Sequence, residues 1–285
     1  MNDYVLSIIL GVVEGLTEFL PVSSTAHIRI TQELLDISLD EPYWKMYSVV
    51  IQLGAILSVV VYFWRRIIEF LKTFPKGADG TRTILTHPLS MVLIAFIVTA
   101  GPCYILDKKI GENLESLKVM GLALLIGGVV MCVVDVLCNK PRTTDMARMT
   151  FPQAIVIGAA QIFAAVFPGT SRSMSTIAAG QVMGLSRSAA LEFSFFLSIP
   201  VMFAATGLKL TQAVVKGMKG KSEIAMDAHR WGVLAVGLIV SFVVAWAVIA
   251  WFMHWVRKHG FVPFAVYRIV AGAAVLIWAW RAGLH

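Results

Sequence analysis

The sequence predicts an all-α integral membrane protein, arranged as an inverted-topology repeat of six transmembrane helices plus two re-entrant helix–loop–helix hairpins. Three observations predict it. The 285 residues are 58% hydrophobic and only 14% charged, with a mean hydropathy of +0.78. Soluble domains carry about a quarter charged residues, so a water-soluble enzyme is excluded. The apolar runs are near the ~20 residues that a spanning helix needs. Two of those runs are each broken by a proline-containing polar loop, and the same order of segments follows each break.

In chain order, the first broken segment is 4–28, interrupted by "PVSSTAH". The chain begins Met1-Asn2-Asp3 without a basic leader, so this segment is expected to belong to the mature fold. Continuous spans follow at 44–63, 89–106 and 117–138. The second broken segment, 152–183, carries "PGTSRSMST" and precedes spans at 189–208, 231–256 and 262–281. Irregular backbone at membrane depth is tolerated only where protein or a wet cavity surrounds it, which makes both broken segments re-entrant hairpins. The polar stretches 64–88, 139–150 and 209–230 read as loops, none long enough for a separate domain.

At an offset of 147 residues Gly11 falls on Gly158, Glu14 on Gln161, Pro21 on Pro168, Ser23 on Thr170 and Ser24 on Ser171. The expected organisation is therefore one membrane domain, 1–285, with halves of about 1–147 and 148–285. Three crossings per half invert the second half, and such repeats place a polar site near the midplane where the halves meet.

Charge sets the expected orientation. Stretch 64–88 has five Lys/Arg against two acids, and Arg257-Lys258 adds two more, so both are expected in the cytoplasm. Segment 29–45, with two basic and four acidic residues, falls outside; so does 209–230, whose five basic residues run against the rule. The net charge of +7 points to topology and anionic head groups rather than nucleic acid. Trp44, Trp64, Trp231, Trp255, Trp278 and Trp280 fall near span ends, where indoles favour the interface. Cys103, Cys132 and Cys138 lack zinc spacing and read as packing residues.

The chemistry-bearing residues cluster in the two breaks. Glu14 and Glu18 are four apart, so a helix puts both carboxylates on one face, where they repel and each costs at least ~2.5 kcal/mol at depth. A divalent cation, proton exchange or an ion pair with Arg172 could compensate, but one arginine does not neutralise two carboxylates. Ser23, Ser24 and Thr25 stand where a half-helix begins after Pro21; one is expected to cap it. His27, three residues beyond Ser24, is a general acid or base candidate that could share a proton with Ser24 or with substrate.

"PGTSRSMST" reads as an anion cradle. Gly169 permits a tight turn, Thr170 or Ser171 can cap the next half-helix, and free N–H groups at that end favour phosphate. Arg172 adds a planar fork suited to phosphate oxygens, and Ser173 and Thr176 extend the hydroxyl donors by one turn. Gln52, Gln161 and Gln181 read as interhelical partners. Glu192 is assigned to supporting the cavity or pairing with Arg187. Arg268, after Tyr267, is read as snorkelling or as backing a phosphate contact.

At these residues the sequence resembles a known family. "EGLTE", "PVSSTAH" and "PGTSRSMST", with "VVIQLGAILSVVVYFWRR" and "FVPFAVYRIVAG", are similar to the undecaprenyl-pyrophosphate phosphatases of the bacitracin-resistance (BacA-type) family, over essentially the whole chain. The resemblance implies a hydrolase that removes the terminal phosphate of a C55 isoprenyl diphosphate and regenerates the carrier lipid for cell-wall synthesis. It implies a multi-pass protein of the bacterial inner membrane whose site opens to the periplasm or outer face. The family's functional positions fall on Glu14, Glu18, Ser24, His27, Ser171, Arg172, Ser173 and Thr176. A divalent cation, Mg²⁺ or Ca²⁺, is expected from the family, as is the isoprenyl diphosphate lipid as partner; the sequence is also compatible with a homo-oligomer.

With that substrate, Arg172, Gly169, Thr170, Ser171, Ser173 and Thr176 are expected to bind phosphate, and Glu14 and Glu18 to bind metal and handle protons. His27 would protonate the leaving phosphate or activate the nucleophile. Ser24 is the nucleophile candidate, with direct attack by a metal-bound water as its rival. The competing class is a lipid-phosphate transporter or flippase with the same inverted-repeat architecture.

Overall fold

Polar residues open most of the helices. In the computed structural model, which describes residues 2–38, 41–106, 116–218 and 226–282 (backbone alone for 209 and 212–218), the Asn2 side chain accepts from Tyr4 N at 2.9 Å and starts α1 (Asp3–Thr17). There follow α2 (Ser24–Leu34), α3 (Pro42–Val50), α4 (Gln52–Tyr62), α5 (Trp64–Thr73), α6 (Pro88–Ile105) and α7 (Leu117–Leu137). After a 3₁₀ turn at Met146–Arg148 come α8 (Phe151–Val166), α9 (Arg172–Val182), α10 (Arg187–Met218), α11 (Ala228–His259) and α12 (Val262–Arg281). Proline sits in the first turn of α3, α6, α8 and α12, where no intrahelical donor is lost. No strand forms among the described residues.

Six helical segments are long and apolar enough to cross a membrane: Pro42–Tyr62 (α3 with α4), α6, α7, Arg187–Leu208 of α10, α11 and α12. They match the six expected spans within a few residues. The interrupted segments are α1–α2 and α8–α9, each pair joined by a short irregular loop.

The first pair packs on α11 through α1, and the second on α6 through α8; α12 lies along α7, and α11 along α4. Each broken pair thus rests on a span from the other half of the chain. Close approach depends on small residues: a Cβ on Gly11 would lie 2.8 Å from Gly237 O, and one on Gly158 would lie 2.5 Å from Ala95 O.

Four details depart from the sequence expectation. The stretch 64–88 contains α5, because Ile67 and Phe70 share a helical face and pack on the core while charged residues occupy the other sides. Arg66 on this helix bonds Asp145 at 2.9 Å and reaches Glu192 at 3.3 Å. Glu192 therefore pairs there and not with Arg187, which grips the fully buried Asp135 at 2.7 Å. Helix α10 continues to Met218 and α11 begins at Ala228, so much of 209–230 is helical; residues 219–225 lie outside the described residues. Trp44 is 6% exposed and packs with Tyr43 and Tyr47, whereas Trp64, Trp231 and Trp280 are exposed as interfacial indoles should be.

Candidate active site

The two loops end in the same way. Ser23 caps α2 and Ser171 caps α9, both at φ 74°, with their hydroxyls accepting from Ala26 N at 3.4 Å and Met174 N at 3.3 Å. A positive φ outside glycine is uncommon and costs energy, and such residues concentrate at functional sites. The equivalent caps lie 148 positions apart, so the offset of 147 holds at Pro21 and Pro168 but shifts by one at the caps. One extra residue separates proline and cap in the second loop. Gly169 there has φ 97°, and a Cβ on it would stand 2.5 Å from Met120 O, so the tight turn needs glycine.

With Ser23 capping, the Ser24 hydroxyl is left to donate to Glu18 Oε2 at 2.5 Å. Glu18 Oε1 accepts from Arg172 Nη2 at 3.2 Å, and Arg172 Nη1 donates to Ser194 O at 3.2 Å. One turn earlier, Glu14 is fully buried and neither carboxylate oxygen has a hydrogen-bond partner. The ion pair with Arg172 thus exists, but it satisfies only one of the two glutamates.

The loops touch each other directly. Ser173 Oγ donates to Leu20 O at 3.0 Å and lies 3.0 Å from Ser171 Oγ. Thr176 is turned elsewhere: its hydroxyl bonds Arg172 O at 3.0 Å and Ser194 Oγ at 2.7 Å, tying α9 to α10. Thr170 contributes its carbonyl, not a cap: Arg268 Nη2 donates to it at 2.9 Å.

His27 does not bond Ser24. Its Nδ1 lies 2.7 Å from Ser23 O and its Nε2 2.6 Å from Tyr267 OH. A carbonyl only accepts, so Nδ1 carries the hydrogen; a neutral ring then accepts at Nε2 from the tyrosine. The three-residue spacing between Ser24 and His27 is overridden by a tyrosine 240 positions away.

Sequence reasoning missed Ser194 and Tyr267 as partners, and of its two readings of Arg268 the snorkelling one fails. Ser194 is an unremarkable small residue in an apolar span, with no signal of its own. Arg268 neither snorkels nor reaches solvent: it is fully buried and bonds backbone of both loops.

Among the described residues, no three His, Cys, Asp or Glu side chains gather as a ready metal cluster. The unpartnered, buried oxygens of Glu14 beside Glu18 nonetheless fit a hard cation, which binds oxygen and completes its shell with water or phosphate. Beside the second loop a cavity of about 680 Å³ opens between α7, α8 and α9, walled by Leu122, Ile126, Phe163, Phe167 and Ala178 and reaching Thr170.

Fold and site together define a polytopic membrane protein with a buried carboxylate–arginine–hydroxyl centre assembled from two broken helices. The profile of the family described as "Bacitracin resistance protein BacA" matches residues 7–274. The chain is 60% identical to an undecaprenyl-diphosphatase of Koribacter versatilis, covering 98% of this chain and 99% of that one. It is 43% identical to one of Novosphingobium aromaticivorans and 40% identical to one of Xanthomonas oryzae pv. oryzae, each over 98% of both chains. The chain belongs to the BacA family.

Proposed function

We propose that this protein is a membrane phosphatase that hydrolyses undecaprenyl diphosphate to undecaprenyl phosphate and inorganic phosphate, recycling a carrier lipid for cell-wall synthesis and so conferring bacitracin resistance. Relatives named for that activity cover nearly the whole chain, and they do not favour the transporter reading. The observation that carries the proposal is the contact of Ser24, Glu18 and Arg172 across the two loops.

In this reading, Arg172 and the first amides of α9 hold the terminal phosphate; the first N–H groups of a helix have no intrahelical partner. Glu18 accepts the Ser24 proton as Ser24 Oγ attacks phosphorus, and the bond to the bridging oxygen breaks, releasing undecaprenyl phosphate. Water then cleaves the phosphoserine. His27, able to take a proton at Nε2, serves proton movement at the edge of the site through Tyr267. Phosphoryl transfer asks the protein mainly for position and charge, which this set supplies. Glu14 and Glu18 would hold a divalent cation, Mg²⁺ or Ca²⁺, whose charge would offset that of the diphosphate. The rival route has water attack phosphorus directly.

The apolar cavity beside Thr170 suits the first part of the isoprenyl chain, giving the tail a lateral path into the bilayer. The matched caps and the exchange of broken pairs between halves support an inverted repeat with two re-entrant hairpins. Charge asymmetry and the family favour the bacterial inner membrane, with the site open to the periplasm or outer face. Phosphate release from undecaprenyl diphosphate by purified protein in detergent tests the proposal. No release, with uptake of the lipid into proteoliposomes instead, would favour transport.

A further inference from the structure

Among the described residues Arg268 is the largest fully buried side chain, and the hydrogen bonds it makes there go to backbone carbonyls. Nη1 donates to Pro21 O at 3.0 Å in the first loop. Nη2 donates to Gly169 O and Thr170 O in the second, both at 2.9 Å, and to Ala123 O of α7 at 3.1 Å. Among the described residues no carboxylate stands within ion-pair distance of it. Its space is made by Gly127, where a Cβ would lie 2.3 Å from Nη2.

A guanidinium stays charged in proteins, and a buried charge left without a counter-charge is costly. Neutral carbonyls soften that cost but leave the charge unbalanced. Three of these four carbonyls, those of Pro21, Gly169 and Thr170, come from the last two residues before the two caps. The Thr170–Ser171 peptide is planar and trans, so fixing Thr170 O towards Arg268 puts the Ser171 N–H on the opposite side.

We propose that Arg268 is a positioning residue for the diphosphate site. It fixes both loops from behind so that their amides and Arg172 present to one anion, and its own unbalanced charge is completed when the diphosphate binds. This rests on the proposed reading of the site as a diphosphate site. Arg268 does not touch the reacting atoms; it acts through the loops.

The test is direct binding of methylene diphosphonate to the purified full-length protein at fixed Mg²⁺, read by titration calorimetry beside kcat, KM and the thermal midpoint. Arg268→Gln should weaken binding and raise KM at least tenfold in the protein that remains folded. Arg268→Lys should recover only part, since a single ammonium cannot span both loops. Should Arg268→Gln fail to fold, Gly127→Ala displaces the guanidinium while keeping its charge, and should weaken diphosphonate binding in the same direction. Unchanged binding in the folded variants, with activity lost only in proportion to the folded fraction, would overturn the proposal. Binding is read without turnover, so a protein that hydrolyses nothing would contradict the reaction, while weakened binding in Arg268→Gln would still support the positioning role.

Discussion

Glu18 and Arg172 lie 154 positions apart in sequence and meet at 3.2 Å, while Glu14, one turn before Glu18, accepts no hydrogen bond from Arg172. The two glutamates therefore differ in what they do for the fold. Glu18→Gln leaves the Arg172 charge buried without its counter-ion, a loss of about 3–5 kcal/mol in comparable buried pairs. Glu14→Gln removes a buried carboxyl that Arg172 does not hydrogen-bond. The thermal midpoint in detergent is expected to fall clearly in Glu18→Gln and to hold or rise in Glu14→Gln. Equal losses in both would contradict the assignment.

The same pair separates cation binding from proton handling. Activity titrated with Mg²⁺ or Ca²⁺ is expected to show a raised midpoint when either Glu14 or Glu18 becomes Gln. A lowered plateau at an unchanged midpoint in both variants would mean that neither carboxylate holds the cation.

Arg172 reaches Ser194 O and Glu18 through separate nitrogens of one planar group. Lysine keeps the charge and loses that geometry. Arg172→Lys should thus lose phosphate release nearly as severely as Arg172→Ala, by about 100-fold or more if both fork bonds and phosphate positioning fail together. Full activity in Arg172→Lys would show that charge alone suffices.

The polar breaks were legible because nothing else accounts for two glutamates, a histidine and an arginine in apolar segments. The six spans were legible for the same reason, from length and hydropathy. What escaped was set by partners distant in sequence. Which of Ser23, Ser24 and Thr25 caps α2 depends on the positive φ at Ser23, and that choice releases Ser24 to Glu18. His27 is claimed by Tyr267, and Arg268 by carbonyls of both loops. The amphipathic α5 was hidden by its charge, since counting basic residues reads a helix with one apolar face as a loop.

If the cavity by Thr170 receives the isoprenyl chain, filling it should discriminate by chain length. Ala160→Trp, on the α8 wall, is expected to raise KM for a C55 diphosphate several-fold more than for a C15 diphosphate, with kcat little changed. An equal effect on both chain lengths would remove the cavity from the tail's path.

The proposed phosphate site is formed by two loops that enter from different halves of the chain. It is tested most directly by a double-mutant cycle on phosphate release with Ser24→Ala, Arg172→Ala and the double variant. Residues that act on one substrate as a unit lose most of their effect at the first removal, so the double variant should be about as slow as the slower single variant. Losses that multiply independently would contradict a shared site.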